Sequence, residues 1–257
     1  MDLLSYRDTS VHRINPVAKL LTTLVFIITV LSFGKYEISM LLPLSVFPVY
    51  IITAGNIPAG YIMKKILYVS PFAVMIGIFN PLFDTGISFY IGPTGVSGGW
   101  VSFISIMIRF CLTVGAALAL IASTGFNNLC YAMNRLGAPR IFSVQLLFLY
   151  RYLFVLAEEA ARMIRARNLR SFSGNGRGIR TYGPLMGSLL LRTVNRAQRI
   201  HLAMNCRGFD GNIRIMKKYG FGFRETVFII GWSAVFLLFR FVNIPQLAGI
   251  FFMGLFS

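Results

Sequence analysis

The polar chemistry of this chain rests on arginine. Lys and Arg number 25 against 8 Asp and Glu, for a net charge of +17. Fifteen of the Arg, with Lys217 and Lys218, fall between residues 124 and 224 against Glu158, Glu159 and Asp210, so fourteen of the seventeen net positive charges lie in that segment. A guanidinium stays charged and offers a planar fork of donors to carboxylates or phosphates, which is the chemistry of gripping an acidic partner. Residues for making and breaking bonds are scarce. His12 and His201 are the only histidines and lack metal-ligand spacing with each other or with Cys. Cys111, Cys130 and Cys206 are too few for a disulfide framework and form no C-x-x-C pair, as befits small residues in a reducing setting. Gly174, Gly176, Gly178 and Gly183 make 171–183 a flexible connection. A phosphate cradle would need a preceding strand, and the chain holds no G-x-x-x-x-G-K-[ST]. No nucleotide hydrolysis, metal site or cofactor is therefore expected of this chain.

The elements that must carry these arginines are apolar. Hydrophobic residues make up 56% and charged residues 13% of 257 positions, with a mean hydropathy of +0.70. Charged residues stand near half the soluble norm of about 25%, which excludes disorder and argues against a water-soluble globule. A span needs about 20 mostly apolar residues. Candidates cover about 17–33, 38–54, 66–83 and 101–123, with a fifth from about Thr226 to Val242. The 246–257 tail is apolar but short, and extends that span, returns as a partial one or lies at the interface. Pro43, Pro48 and Pro71 fall inside spans and predict kinks rather than breaks. Asp2, Arg7, Asp8, His12 and Arg13 precede the first apolar run and no small-residue cleavage site follows it, so it reads as a retained span. Lys64 and Lys65 mark the 55–65 loop as cytoplasmic with the N-terminus, and the Gly-rich 84–100 loop, without Lys or Arg, as external. Arg109 lies alone inside the fourth span. It reads as a pathway or pairing residue, or as a charge facing a polar bundle interior or snorkelling; Arg240, near a span end, favours the latter.

Between the spans, a short helix over about Asn127–Leu136 precedes Gly137-Ala138-Pro139. A long helix follows over about Ile141–Arg170. Its first half is almost continuously apolar, buried in protein or membrane, and its second half carries Glu158, Arg162, Arg165, Arg167 and Arg170. Another runs over Pro184–Arg207. At about 100° per residue, Arg192, Arg196, Arg199 and Arg207 share one face, while Leu190, Val194, Ala197, His201 and Met204 share the other. The whole reads as an all-α polytopic membrane protein with five to six spans and a cytoplasmic pair of long amphipathic helices. Its expected divisions are 1–124 with about four spans, 125–224 basic and cytoplasmic, and 225–257 with the C-terminal membrane helix or helices.

Several stretches carry a family signature: Leu136-Gly-Ala-Pro-Arg140, the Tyr150–Glu159 stretch with its Tyr-Arg-Tyr and Glu-Glu ends, Ala166–Ser171, Leu189–Met204 and Ala203–Gly211. With the S-x-x-H-R-x-N-P-x-A-K pattern of Ser10–Lys19, they closely resemble the transmembrane coupling (T) component of energy-coupling factor (ECF) transporters, in particular the cobalt-type CbiQ branch. The resemblance covers essentially the whole chain, most specifically 136–211. It implies a non-catalytic subunit of a bacterial or archaeal cell-membrane importer for cobalt. Its partners would be two CbiO-like ATP-binding subunits and a CbiM-like substrate-binding S component, with or without a CbiN-like one, alongside membrane lipid and without nucleic acid.

The resemblance also implies two Ala-Arg-Gly-like motifs that dock into the ATPases. By position the second is Cys206-Arg207-Gly208 and the first Leu169-Arg170-Ser171, with Ala166-Arg167-Asn168 as an alternative register. Both depart from the pattern at their first residue, and the first has Ser for Gly. An Arg near a helix C-terminus also gains about 0.3–1 kcal/mol from the helix dipole without any partner, so position alone suits either role. Nickel is the competing substrate. A self-contained secondary transporter or channel, with Arg109 lining a pathway, is the competing function, and a lipid-gripping surface protein a third.

Overall fold

The computed structural model describes residues 9, 11–34, 37–83, 87–91, 94–170, 179–211, 220 and 222–241. Ser171, the glycine-rich 171–178 and the 246–257 tail lie outside the described residues. The protein is all-α apart from one short hairpin. Helix α1 (Pro16–Leu31) is followed by α2 (Ile38–Leu41), a 3-10 turn (Pro43–Ser45) and α3 (Val46–Ala54). Then come α4 (Ala59–Gly77), α5 (Phe79–Phe83), strands β1 (Ile87–Ile91) and β2 (Thr94–Ser97), and α6 (Gly98–Thr124). The basic segment forms α7 (Phe126–Arg135), α8 (Arg140–Arg170) and α9 (Ile179–Cys206), and α10 (Phe223–Phe241) follows.

Ala59–Pro81, Gly98–Thr124 and Arg140–Arg170 are each long and apolar enough to cross a membrane, and Pro16–Leu31 and Ile38–Ala54 are shorter apolar helices. The kinks follow the prolines unevenly. At Pro43 the second apolar run turns 3-10 before resuming as α3, whereas α4 continues through Pro71. Within 87–97, β1 and β2 pair antiparallel with Ile91 opposite Thr94.

The chain divides into two compact units, one of residues 1–132 with 218–257 and one of 133–217. In the first, α6 packs against α1, α3 and α4. It can do so because Ala116, Ala119 and Ala122 on it are fully buried and small, which lets helices approach closely where no hydrophobic driving force distinguishes lipid from neighbour. Gly77 is tighter still: a Cβ there would lie 2.9 Å from the Phe103 ring. Phe26, Phe47 and Phe236, all nearly inaccessible, stack with Trp232 at centroid separations near 5 Å and bind α10 to α1 and α3. The outer face of α4 is the reverse of a soluble helix, with Met63, Leu67, Phe72, Met75 and Ile76 each about two-thirds or more exposed; that face suits acyl chains.

The two arginines of the apolar runs converge on the turn after α1. An Arg109 Nη donates to the Gly34 carbonyl. Arg240 donates to the Ser32 carbonyl at 3.2 Å, pairs with Glu37 at 3.6 Å and lies 4.7 Å over the Phe33 ring. Both arginines thus donate to carbonyls of the turn after α1.

Candidate docking site

The second unit holds the basic helices. Glu159 on α8 accepts from Arg192 on α9 at 3.0 Å, and Arg167 on α8 stacks 4.9 Å over Tyr182 on α9. Residue numbers rise on one helix as they fall on the other, so the helices run antiparallel. Between them Phe148, Tyr152 and Leu156 face Val194, His201 and Met204 across an apolar cleft of about 420 Å³. Val194, Ala197, His201 and Met204 share that lining as their periodicity predicted, while Leu190 stands outside it, 63% exposed. In the apolar first half of α8, Ile141, Leu149, Leu153 and Phe154 are all more than half exposed among the described residues.

The helix ends carry the motif residues. α9 stops in a Schellman cap. Gly208 N–H donates to the Asn205 carbonyl at 3.0 Å, Phe209 N–H to the Met204 carbonyl at 3.1 Å, and Gly208 takes φ +73°. Phe209 and Met204, the two side chains such a cap brings together, both line the cleft. Arg207 is the residue between helix and turn, exposed beside exposed Cys206 and Gly208.

The same cap closes α7. Gly137 N–H donates to Asn134 at 3.2 Å, Ala138 N–H to Met133 at 3.1 Å, and Gly137 takes φ +103°. The sequences match as well: Ala132-Met-Asn-Arg-Leu-Gly137 beside Ala203-Met-Asn-Cys-Arg-Gly208. Leu136 stands where Arg207 stands, and the cap forms equally. The Schellman cap therefore forms without an arginine at that position, although Arg135 supplies a cation in the last turn of α7.

The repeat also orders the first motif. Ala166-Arg-Asn-Leu-Arg-Ser171 fits the same A-x-N-x-x-[G/S] frame and aligns Arg170 with Arg207. This internal repeat is a signal that motif comparison at two positions alone missed. Arg167, the arginine of the other register, is half-buried on the Tyr182 ring, whereas Arg170 and Leu169 are exposed, Leu169 by 82%. Glu158 and Glu159 are engaged by Arg162 and Arg192, and among the described residues neither Arg170 nor Arg207 has an acidic partner. From the Glu159–Arg192 pairing, the end of α9 lies beside about residue 145 of α8. The two motif ends are thus separated by roughly 25 residues of helix, on the order of 35 Å at 1.5 Å per residue.

Comparison with known proteins agrees with this architecture. Residues 7–219 match the family model CbiQ, described as a cobalt transport protein. The cobalt transport protein CbiQ of Salmonella typhimurium is 31% identical over 93 residues, 36% of this chain and 41% of that protein, so the match spans about two-fifths of the relative's length. The energy-coupling factor transporter transmembrane protein EcfT of Streptococcus thermophilus is 24% identical over 216 residues, 76% of this chain and 79% of the relative. With most of its length matched and an all-α membrane architecture behind the match, the chain belongs to the CbiQ family of ECF transporter transmembrane components.

Proposed function

We propose that this chain is the non-catalytic coupling subunit of an ECF-type cobalt importer. Two ATP-binding subunits of CbiO type dock at Arg170 and Arg207, with Leu169, Ser171, Cys206 and Gly208 completing the two motifs. Their nucleotide-driven closure displaces α8 and α9, and a CbiM-like S component, with or without a CbiN-like one, responds by carrying the ion across. The N-terminus and 125–224 face the cytoplasm, and the exposed apolar half of α8 faces lipid or the S component. The observation that carries this reading is the pair of exposed, acid-free arginines at opposite ends of one antiparallel helix pair, on the order of 35 Å apart. That spacing suits two separate protein partners better than one. Each guanidinium offers a bidentate fork for a carboxylate at the rim of a groove.

The test is the Arg170→Glu, Arg207→Glu double variant. Charge reversal is expected to abolish ATPase copurification and ATP-dependent uptake of radiolabelled cobalt while leaving the chain in the membrane. Survival of both would overturn the docking assignment. Nickel uptake with no cobalt uptake would keep the mechanism and change the ion. Uptake by this chain alone, without ATPases, would instead support a self-contained transporter.

A further inference from the structure

Among the described residues of the first unit, the most deeply buried charged group is untouched by the docking scheme. Lys19 is only 4% exposed, and its Nζ donates to the Ser123 carbonyl at 3.1 Å, in the last turn of α6. A cation at a helix C-terminus completes carbonyls that the helix itself leaves open. One turn earlier, Asn15 does two things. Its Oδ1 accepts from the Val17 N–H at 3.0 Å and caps α1, with Pro16 at the first helical position. Its Nδ2 donates to the Gly220 carbonyl at 3.1 Å, and the residue is 4% exposed.

The chain positions of those two acceptors are the point. The 133–217 unit is joined to the rest of the protein by two connections, one inside α7 after Ala132 and one returning at 218. Ser123 lies on the approach to the first, next to Gly125, whose φ of +77° turns α6 into α7, and residues 126–132 of α7 still belong to the first unit. Gly220 lies at the root of the second. A single helical turn, Asn15 to Lys19, therefore holds the approach to the first connection and the root of the second. Thr22 and Thr23 on the next turn spend their hydroxyls on the Ala18 and Lys19 carbonyls of their own helix, each at 2.8 Å. That leaves Asn15 and Lys19 as the side chains of this stretch that reach across to those two segments.

We infer that the Asn15–Lys19 turn is the anchor through which displacement of the basic helices is delivered to the membrane bundle. This rests on the coupling-subunit reading above. Both residues are positioning residues: they touch neither ATPase nor ion, and act by making α1, α6 and the entry to α10 move as one body. With either tether cut, the connections absorb the displacement locally and the ATPases cycle without transmitting it.

The test uses the whole complex, with this chain bound to its ATPases and S component in proteoliposomes. It measures ATPase copurification, ATP hydrolysis and uptake of radiolabelled cobalt, or of nickel if the wild type carries that ion. Lys19→Met and Asn15→Ala are expected to retain copurification and hydrolysis but to lose about five-fold or more in ion transported per ATP, the size of an ordinary coupling free energy. Lys19→Arg, which still reaches a carbonyl, is expected to restore most of it. Unchanged transport per ATP in both variants would sink the anchor while leaving the docking assignment intact. Failure of wild-type copurification would instead remove the docking assignment.

Should the point variants not assemble, an Asn15→Cys, Gly220→Cys chain with the natural cysteines changed to Ser decides the matter. Reduced, it should behave as the uncoupled variant; cross-linked, it should transport as the wild type does. A cross-linked chain that hydrolyses ATP but no longer transports would mean that the two segments must separate, which overturns the anchor.

Discussion

At the scale of single residues, Gly137 and Gly208 form a natural control pair. Both adopt left-handed φ, and a Cβ at either would meet nothing within 4 Å. Replacement by Ala therefore costs conformational strain alone, about 1–2 kcal/mol for an L-residue there. Gly208→Ala is expected to fray the end of α9, speed amide exchange at Phe209 and weaken ATPase copurification, because it disturbs the backbone that presents Arg207. Gly137→Ala should speed exchange at Ala138 to a similar degree and leave copurification alone. Equal loss of copurification in both would mean that general helix stability, not presentation of Arg207, was being measured. The proposed docking role of Arg207 rests on the family-like motif. What was not legible was that a leucine in the same cap does the structural job, which emerges only when the two helix ends are laid side by side.

At the scale of elements, α6 shows how small side chains organise the bundle. Ala116 is fully buried on the face toward its neighbours, so Ala116→Leu would overpack the contact. A loss of about 1–3 kcal/mol is expected, read as a lowered unfolding temperature in detergent. The same change at exposed Ile76 on α4, as Ile76→Leu, should be silent. Periodicity and run length located nearly all these helices, because a bilayer demands long apolar segments with internally satisfied backbones. The departures have local causes. Helix α9 begins at Ile179 and continues through Pro184 in its second turn, at the cost of one backbone bond. Pro43 imposes a 3-10 turn because the run it interrupts is short.

At the scale of the whole molecule, the proposed orientation makes a labelling experiment direct. Cys206 is exposed at the end of α9, whereas Cys130 is buried in α7. Burial pushes the Cys130 thiol above its ordinary pKa, with a backbone hydrogen bond partly offsetting it, so its reactive thiolate is scarcer at neutral pH. A membrane-impermeant maleimide should label Cys206 quickly in inverted vesicles and not in right-side-out ones, and Cys130 slowly in either. Labelling of Cys206 from the outer face would reverse the topology and with it the site of ATPase docking.

The sequence by itself determined where most apolar helices lie, the confinement of most of the positive charge to one segment and the family to which the chain belongs. These are properties of composition and local pattern, and each is written within a few turns of chain. It left Arg140–Arg170 out of the spans, although that helix is long and apolar enough to cross a membrane. Tertiary structure alone decided the partners of the isolated charges. Arg109 and Arg240 meet the turn after α1, Arg167 is occupied by Tyr182 while Arg170 stays exposed, and Asn15 and Lys19 hold carbonyls 205 and 104 residues away. A buried donor must find an acceptor, yet the acceptors here are backbone carbonyls, which every residue carries and no sequence pattern marks. Only folding brings one of them within reach.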